Sequence, residues 1–335
     1  MKKILSLFFV GLLLIGFSQK EEKKTDWEKD NLKGKVKSVV KIEYYAEKKF
    51  GDIQNVTVSK KETFQYDRNG NQIEYAHHNS NGSLLSKYTL KYDKNGNLTE
   101  SYVYKSDGLL ECKTTYKNDN NGYTIESTTY NSDESLQSKM IYKNDGNGNE
   151  IEKARYNSVG SLEKKETFKY DDNGNQTEVA HHVSDKGFIW KKKFKYDSNN
   201  NQTEYTYHKS DGSMNSKHIY KYDDKGNQIE VSWYGKNGNF GGKTTYNSDA
   251  NGNKIEEDHY REDGSLSHKH TYKYDNKGNL IEKAYYSAGG SLERKETYEY
   301  EYDSKNNWTK VTSFEVKNEV TTVNKVTERK IEYYD

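Results

Sequence analysis

Phe64-Gln65-Tyr66-Asp67-Arg68-Asn69-Gly70-Asn71-Gln72-Ile73-Glu74 is the stretch whose reading decides the fold, and the chain repeats it nine more times. Aligned on the glycine, the later copies fall at Gly96, Gly122, Gly148, Gly174, Asn200, Gly226, Gly252 and Gly278, each 26 residues after the last, and then at Asn306 after 28. A fixed period of this size marks a repeat architecture, in which each unit buries apolar surface against its neighbours. The aspartate is present in all ten copies: Asp67, Asp93, Asp119, Asp145, Asp171, Asp197, Asp223, Asp249, Asp275 and Asp303. Such an aspartate accepts backbone N–H bonds two residues on, the next two residues take αR angles, and glycine takes the αL angle of a G1 bulge. Asn200 and Asn306 replace glycine with the residue next most tolerant of αL. Asp67 with Gly70, Asp93 with Gly96, Asp171 with Gly174 and Asp275 with Gly278 are therefore read as hairpin turns that serve geometry.

A second turn, Ser-Asp/Asn-Gly-Ser, occurs in each unit, as at Ser80 to Ser83 and Ser210 to Ser213. Strands of about 8 to 10 residues fit between the two kinds of turn. The expected fold is all-β: an elongated, curled antiparallel meander of 26-residue, two-strand repeats, a solenoid-like sheet shell. Counting parity through the hairpins puts Tyr66 opposite Gln72, Phe64 opposite Glu74 and His78 opposite Leu84. On that count one face carries the aromatic column from Phe64 to Tyr300, a second ring column from His78 to Tyr286, an apolar column from Leu84 to Leu292, and the glutamates Glu74 to Glu282. The opposite face carries the lysine column Lys61 to Lys295. A wide flat sheet would leave its aromatic face wet, so that face is expected to be concave and packed on itself.

Composition bounds the class. Among 335 residues, 31% are apolar, yet 31 tyrosines supply large amphipathic surface and the formal net charge is +1. Mean hydropathy is -1.24. Near-neutral charge argues against nucleic acid as a partner. The absence of proline suits unbroken ladders, and the lone Cys112 excludes an internal disulfide. Residues 1–18 read as a signal peptide: Met1-Lys2-Lys3 is positive, Ile4 to Phe17 is apolar, and Gly16 and Ser18 are small residues before Gln19. Residues 19–31 read as a charged linker, 32–63 as N-terminal capping strands, 64–307 as the tandem repeats and 308–335 as C-terminal capping strands. This organisation implies export to the periplasm, outer surface or medium, with no stable membrane span once the signal is cleaved.

At Phe64-x-Tyr66-Asp67-x-x-Gly70-Asn71, Phe168-x-Tyr170-Asp171-x-x-Gly174-Asn175 and Tyr272-x-Tyr274-Asp275-x-x-Gly278-Asn279, the chain resembles the YD repeats of bacterial Rhs proteins. The resemblance spans roughly residues 60 to 310. It implies a spiralling β-sheet shell, with roles around polymorphic toxins or in surface adhesion and carbohydrate contact. The period of 26 and the glutamate column depart from the family's unit. A weaker similarity is to MORN-like hairpin repeats.

The expected function is an exported, non-enzymatic scaffold at the bacterial cell envelope. It would bind protein or glycan through an aromatic-rich surface that includes Tyr130, Tyr156, Tyr234, Glu126, Glu152 and Glu178. The alternative is an accessory or truncated member of an Rhs-type toxin–antitoxin system. Nine equivalent glutamates do not form the single asymmetric carboxylate pair that glycoside hydrolysis needs. They are instead expected to accept hydrogen bonds from tyrosine hydroxyls. The turns lack EF-hand spacing, His78, His182 and His208 read as ring substitutes in the tyrosine column, and neither a metal nor another cofactor is expected.

Overall fold

The computed structural model describes residues 24–49, 52–317 and 320–335. The proposed signal peptide and the first residues of the proposed linker lie outside the described residues. From Val36 to Tyr333 the chain forms 22 strands in a single sheet. Successive strands pair antiparallel, and the first strand (Val36–Lys49) also pairs with the last (Val320–Tyr333). The register of that closing pair runs from Val36 opposite Tyr333 to Tyr45 opposite Lys325. The sheet is thus a closed barrel: the all-β antiparallel meander expected from the repeat is present, and the solenoid-like shell is corrected to a barrel. Closure removes the two free edges that a long meander would otherwise expose. With strands about 4.8 Å apart, 22 of them span roughly 100 Å around the wall. Every substantial contact among the described strands is between sheet neighbours, so the aromatic face is not packed on itself as expected.

The turns form as their residues dictate. In the first, the Asp67 amide donates to the Asn71 carbonyl at 2.9 Å and the Gly70 amide to the Asp67 carbonyl at 3.1 Å. Asp67 Oδ1 accepts from the amides of Asn69 and Asn71, each at 2.9 Å. Gly70 has φ +84°, and Asn200 and Asn306 take the same left-handed conformation at +64° and +63°. The other aspartate turns repeat these bonds, as at Asp171 and Asp275.

All ten aspartate turns lie at one rim, together with the start of the first strand and the end of the last. Ten hairpins leave one gap there, at the seam between the chain ends. Residues 24–35 fill it. Thr25 caps a single helical turn, Asp26–Lys29, in a reciprocal capping box with Glu28. The Asp26 amide donates to the Gly70 carbonyl, and Asp26 Oδ2 accepts from the Gln72 amide at 2.7 Å. Trp27 lies against Gly70 and donates from Nε1 to the Val36 carbonyl at 2.8 Å. Lys33 exchanges two hydrogen bonds with the Asn307 side chain, both 2.8 Å, on the last aspartate turn. The described part of the 19–31 segment is therefore docked on the rim. Leu32, Val36, Val39 and Tyr66 form the buried cluster here, flanked by Trp27, Phe64, Ile331 and Tyr333.

The faces differ from the parity count. Tyr66 does pair with Gln72 and His78 with Leu84, as expected. Between those points each hairpin carries a bulge, so Phe64 pairs with Tyr75 and Gln65 with Glu74. One extra residue in a strand flips the parity of everything beyond it. The aromatic column headed by Phe64 and the glutamate column therefore lie on opposite faces. The lysine column, expected opposite the glutamates, lies beside them: Glu74 pairs with Thr89, and its neighbour Ala76 with Lys87.

Candidate functional site

The face that carries the glutamates is a charge ladder. Seven of the nine glutamates are held between a lysine on either neighbouring strand, and at Glu74 and Glu256 an amide side chain, Gln65 or Asn247, takes the place of one lysine. Glu126 lies 2.8 Å from Lys117 and 2.7 Å from Lys139, and Glu152 lies 2.8 Å from Lys143 and 3.3 Å from Lys165. Glu178 lies 3.1 Å from Lys169 and 3.2 Å from Lys191. The same triads form at Glu100, Glu204, Glu230 and Glu282. The expectation that tyrosine hydroxyls satisfy the glutamates fails at these triads, where lysine is the regular partner. Glu100 has both, accepting from Tyr102 at 2.7 Å in addition to its lysines. Hydrogen bonds from Lys113, Tyr102 and Lys91 pull the Glu100 carboxyl down to about 2. Those from Lys117 and Lys139 lower Glu126, and those from Lys143 and Lys165 lower Glu152.

Between the triads lie small buried residues, Ala76, Thr128, Ala154, Ala180, Thr206, Ser232 and Ala284. A lysine stands across from several of them, Lys165 from Ala154 and Lys191 from Ala180, where its aliphatic stem can lie over the small side chain. The ladder's charges are therefore spent on one another, leaving little free field for an anionic polymer.

The second ring column lies on this same face, at the rim opposite the aspartate turns. There each ring meets the apolar residue across the second turn. Tyr130 pairs with Leu136, Tyr156 with Leu162 and Tyr234 with Phe240. His182 and Phe188 have ring centroids 5.6 Å apart, and Tyr234 and Phe240 5.7 Å. Lysines of the ladder reach these rings from below, with Lys87 4.7 Å from the Tyr104 ring and Lys243 5.5 Å from Tyr260. The result is a belt of rings and aliphatic side chains just inside the rim. A depression of 380 Å³ opens in it, lined by Leu266, Lys269, Thr271, Tyr286, Ser287 and Gly290. Beyond the belt, exposed Leu109 and Val159 crown the turns. All six residues singled out in the sequence, Tyr130, Tyr156, Tyr234, Glu126, Glu152 and Glu178, share this face. The structure separates them into two levels, the tyrosines in the belt and the glutamates locked in the ladder.

The other face carries the Phe64 column with a mixed set of charged and aromatic side chains. At its aspartate-rim end, tyrosines tie neighbouring hairpins together. Tyr92, Tyr170, Tyr196 and Tyr222 each donate to a carbonyl 20 residues earlier, at 2.8 to 2.9 Å. The same face gathers His259, His268 and His270, one ligand atom of each lying within 4.8 Å of the others. Parity counting missed this cluster because it depends on the bulged register that sets His259 directly opposite His268. The available signal was local: three of the nine histidines fall within twelve residues, in a His-x-His pair preceded by a third across a tight turn.

No family model matches the chain, and no curated protein matches it. Among solved structures, the crystal structure of TcdB2-TccC3 aligns with 82% of this chain at 14% identity and a TM-score of 0.41. This chain spans 15% of the length of that one. A porin-like protein from Bacteroides uniformis aligns over 89% of this chain and 96% of its own, at 11% identity and a TM-score of 0.30. A porin-like protein from Bacteroides vulgatus aligns over 89% and 98%, at 14% identity and a TM-score of 0.22.

Proposed function

We propose that this chain is an exported, non-enzymatic β-barrel scaffold of the bacterial cell envelope that binds carbohydrate or protein through its ring belt. The observation that carries this reading is the belt itself: a ring and an apolar partner recur at one rim, on a face whose charges are neutralised internally. Rings beside hydrogen-bonding side chains, repeated at a fixed spacing, suit a partner that is itself repetitive, such as a glycan. Export is inferred from the pattern of residues 1–18. Among the described residues neither face bears the tall apolar band of a lipid-embedded barrel. One face is a lysine–glutamate ladder, and the other includes Glu62, Arg155, Glu166 and Lys192. Both sides of the wall are accordingly read as facing water.

The test is binding of the purified chain to a glycan array and to envelope proteins in pull-down, compared with a Tyr130→Ala/Tyr156→Ala/Tyr234→Ala variant. The expected outcome is saturable binding that weakens at least tenfold in the variant. Binding unchanged in the variant, or no binding in either format, overturns the proposal.

A further inference from the structure

We propose that His259, His268 and His270 form a site for a divalent late first-row transition ion, with Zn²⁺ as the probe. Two adjacent strands build it. His259 lies on the strand Lys254–Arg261, and His268 and His270 lie two residues apart, hence on one face, of Leu266–Tyr274. The cross-strand register sets His259 opposite His268 and Glu257 opposite His270. Three imidazoles thus converge with a carboxylate beside them. The rings of His259 and His268 stack at 4.1 Å, and His270 meets each edge-on at 5.7 and 5.4 Å.

Three neutral imidazoles are a ligand set that suits zinc, copper and nickel, and three histidines with an open fourth position are a known zinc geometry. Nitrogens bound to one tetrahedral zinc stand roughly 3.3 Å apart. The present spread of up to 4.8 Å closes by rotation of partly exposed rings about their side-chain torsions.

The surroundings favour a cation at this point. His270 Nδ1 is buried and has no hydrogen-bond partner, a cost that a bound ion would relieve. Ser267 Oγ lies 3.2 Å from His268 Nδ1, which leaves the Nε2 of that ring for a ligand role, and Thr244 Oγ1 holds His259 Nδ1 at 3.0 Å, so an ion would take His259 Nε2 in exchange for its contact with Glu257. Glu257 Oε1 stands 2.9 Å from His259 Nε2, where its charge offsets that of the ion. Its other oxygen accepts from Tyr272 at 3.1 Å and Lys254 at 3.2 Å, which fixes the carboxylate in place. Tyr285 packs on both His268 and His270, walling the site on its third side.

The experiment is Zn²⁺ titration of the untagged chain by calorimetry, beside the Co²⁺ absorption spectrum of the wild type. The expected result is one saturable Zn²⁺ site per chain, lost in His268→Ala/His270→Ala and retained in His77→Ala/His218→Ala. Glu257→Gln should weaken Zn²⁺ binding at least fivefold. Co²⁺ should give the intense visible bands of a four-coordinate site, a readout that does not depend on how any variant folds. No saturable site, a site that survives the double variant, or only the weak Co²⁺ bands of octahedral coordination would overturn the assignment.

Discussion

At the scale of single residues, the turns show where the chain spends conformational strain. Glu134 takes φ +66°, the position that glycine fills in the other second turns, as at Gly82, Gly108 and Gly160. A side chain held in that region costs of order 1 kcal/mol. Glu134→Gly should therefore raise stability by about 1 kcal/mol, read as a higher midpoint in urea. Gly70 and Gly82 offer a paired comparison. Both lie near φ +85°, but a Cβ at Gly70 would meet the Trp27 ring at 2.8 Å, whereas one at Gly82 meets nothing within 4 Å. Gly82→Ala should cost about 1–2 kcal/mol from backbone strain alone. Gly70→Ala should cost more and expose Trp27, visible as a red shift in its fluorescence; equal costs would show that the helical turn does not bear on Gly70.

At the scale of strands, the lysine–glutamate triads make the ladder acid-sensitive. Their carboxyls have folded pKa values below the ordinary 4.5, with Glu100 reaching about 2, because flanking lysines donate to the charged form. A depressed folded pKa contributes stability that is present above 4.5 and lost as pH falls through the folded value. The melting temperature should therefore fall between pH 4.5 and pH 2, and a flat profile across that window would count against the triads. How far the sequence could be read is clearest here. The turn types follow from Asp67, Gly70 and Asn200 directly, because those residue types have few other conformational uses. The faces do not, because the bulge after Tyr66 changes no residue type and yet moves Phe64 from opposite Glu74 to opposite Tyr75. That shift also explains why Lys113 and Lys91, 13 and 9 residues from Glu100, reach it from either side. It further explains why the three histidines converge.

At the scale of the whole molecule, a regular meander becomes a barrel only because its two ends differ from its repeats. The ten aspartate turns follow one rule, and the gap between the last and the first is filled by a segment, residues 24–35, that lacks the repeat's Asp-x-x-Gly spacing. Nothing in a 26-residue period says whether the sheet coils or closes; closure is made by the pairing of the first and last strands, and at that seam Trp27 lies against Gly70 and Lys33 bonds Asn307. Trp27→Ala should cost about 2–3 kcal/mol by emptying the seam cluster, detected as a lower melting temperature. Closure itself is tested most directly by nitroxide labels at Ile42 and Glu328 in a Cys112→Ser background, since these residues are paired across the first and last strands. A closed barrel predicts an electron-spin resonance spectrum strongly broadened by dipolar coupling between the two labels; a sharp spectrum equal to the sum of the singly labelled chains would show an open sheet.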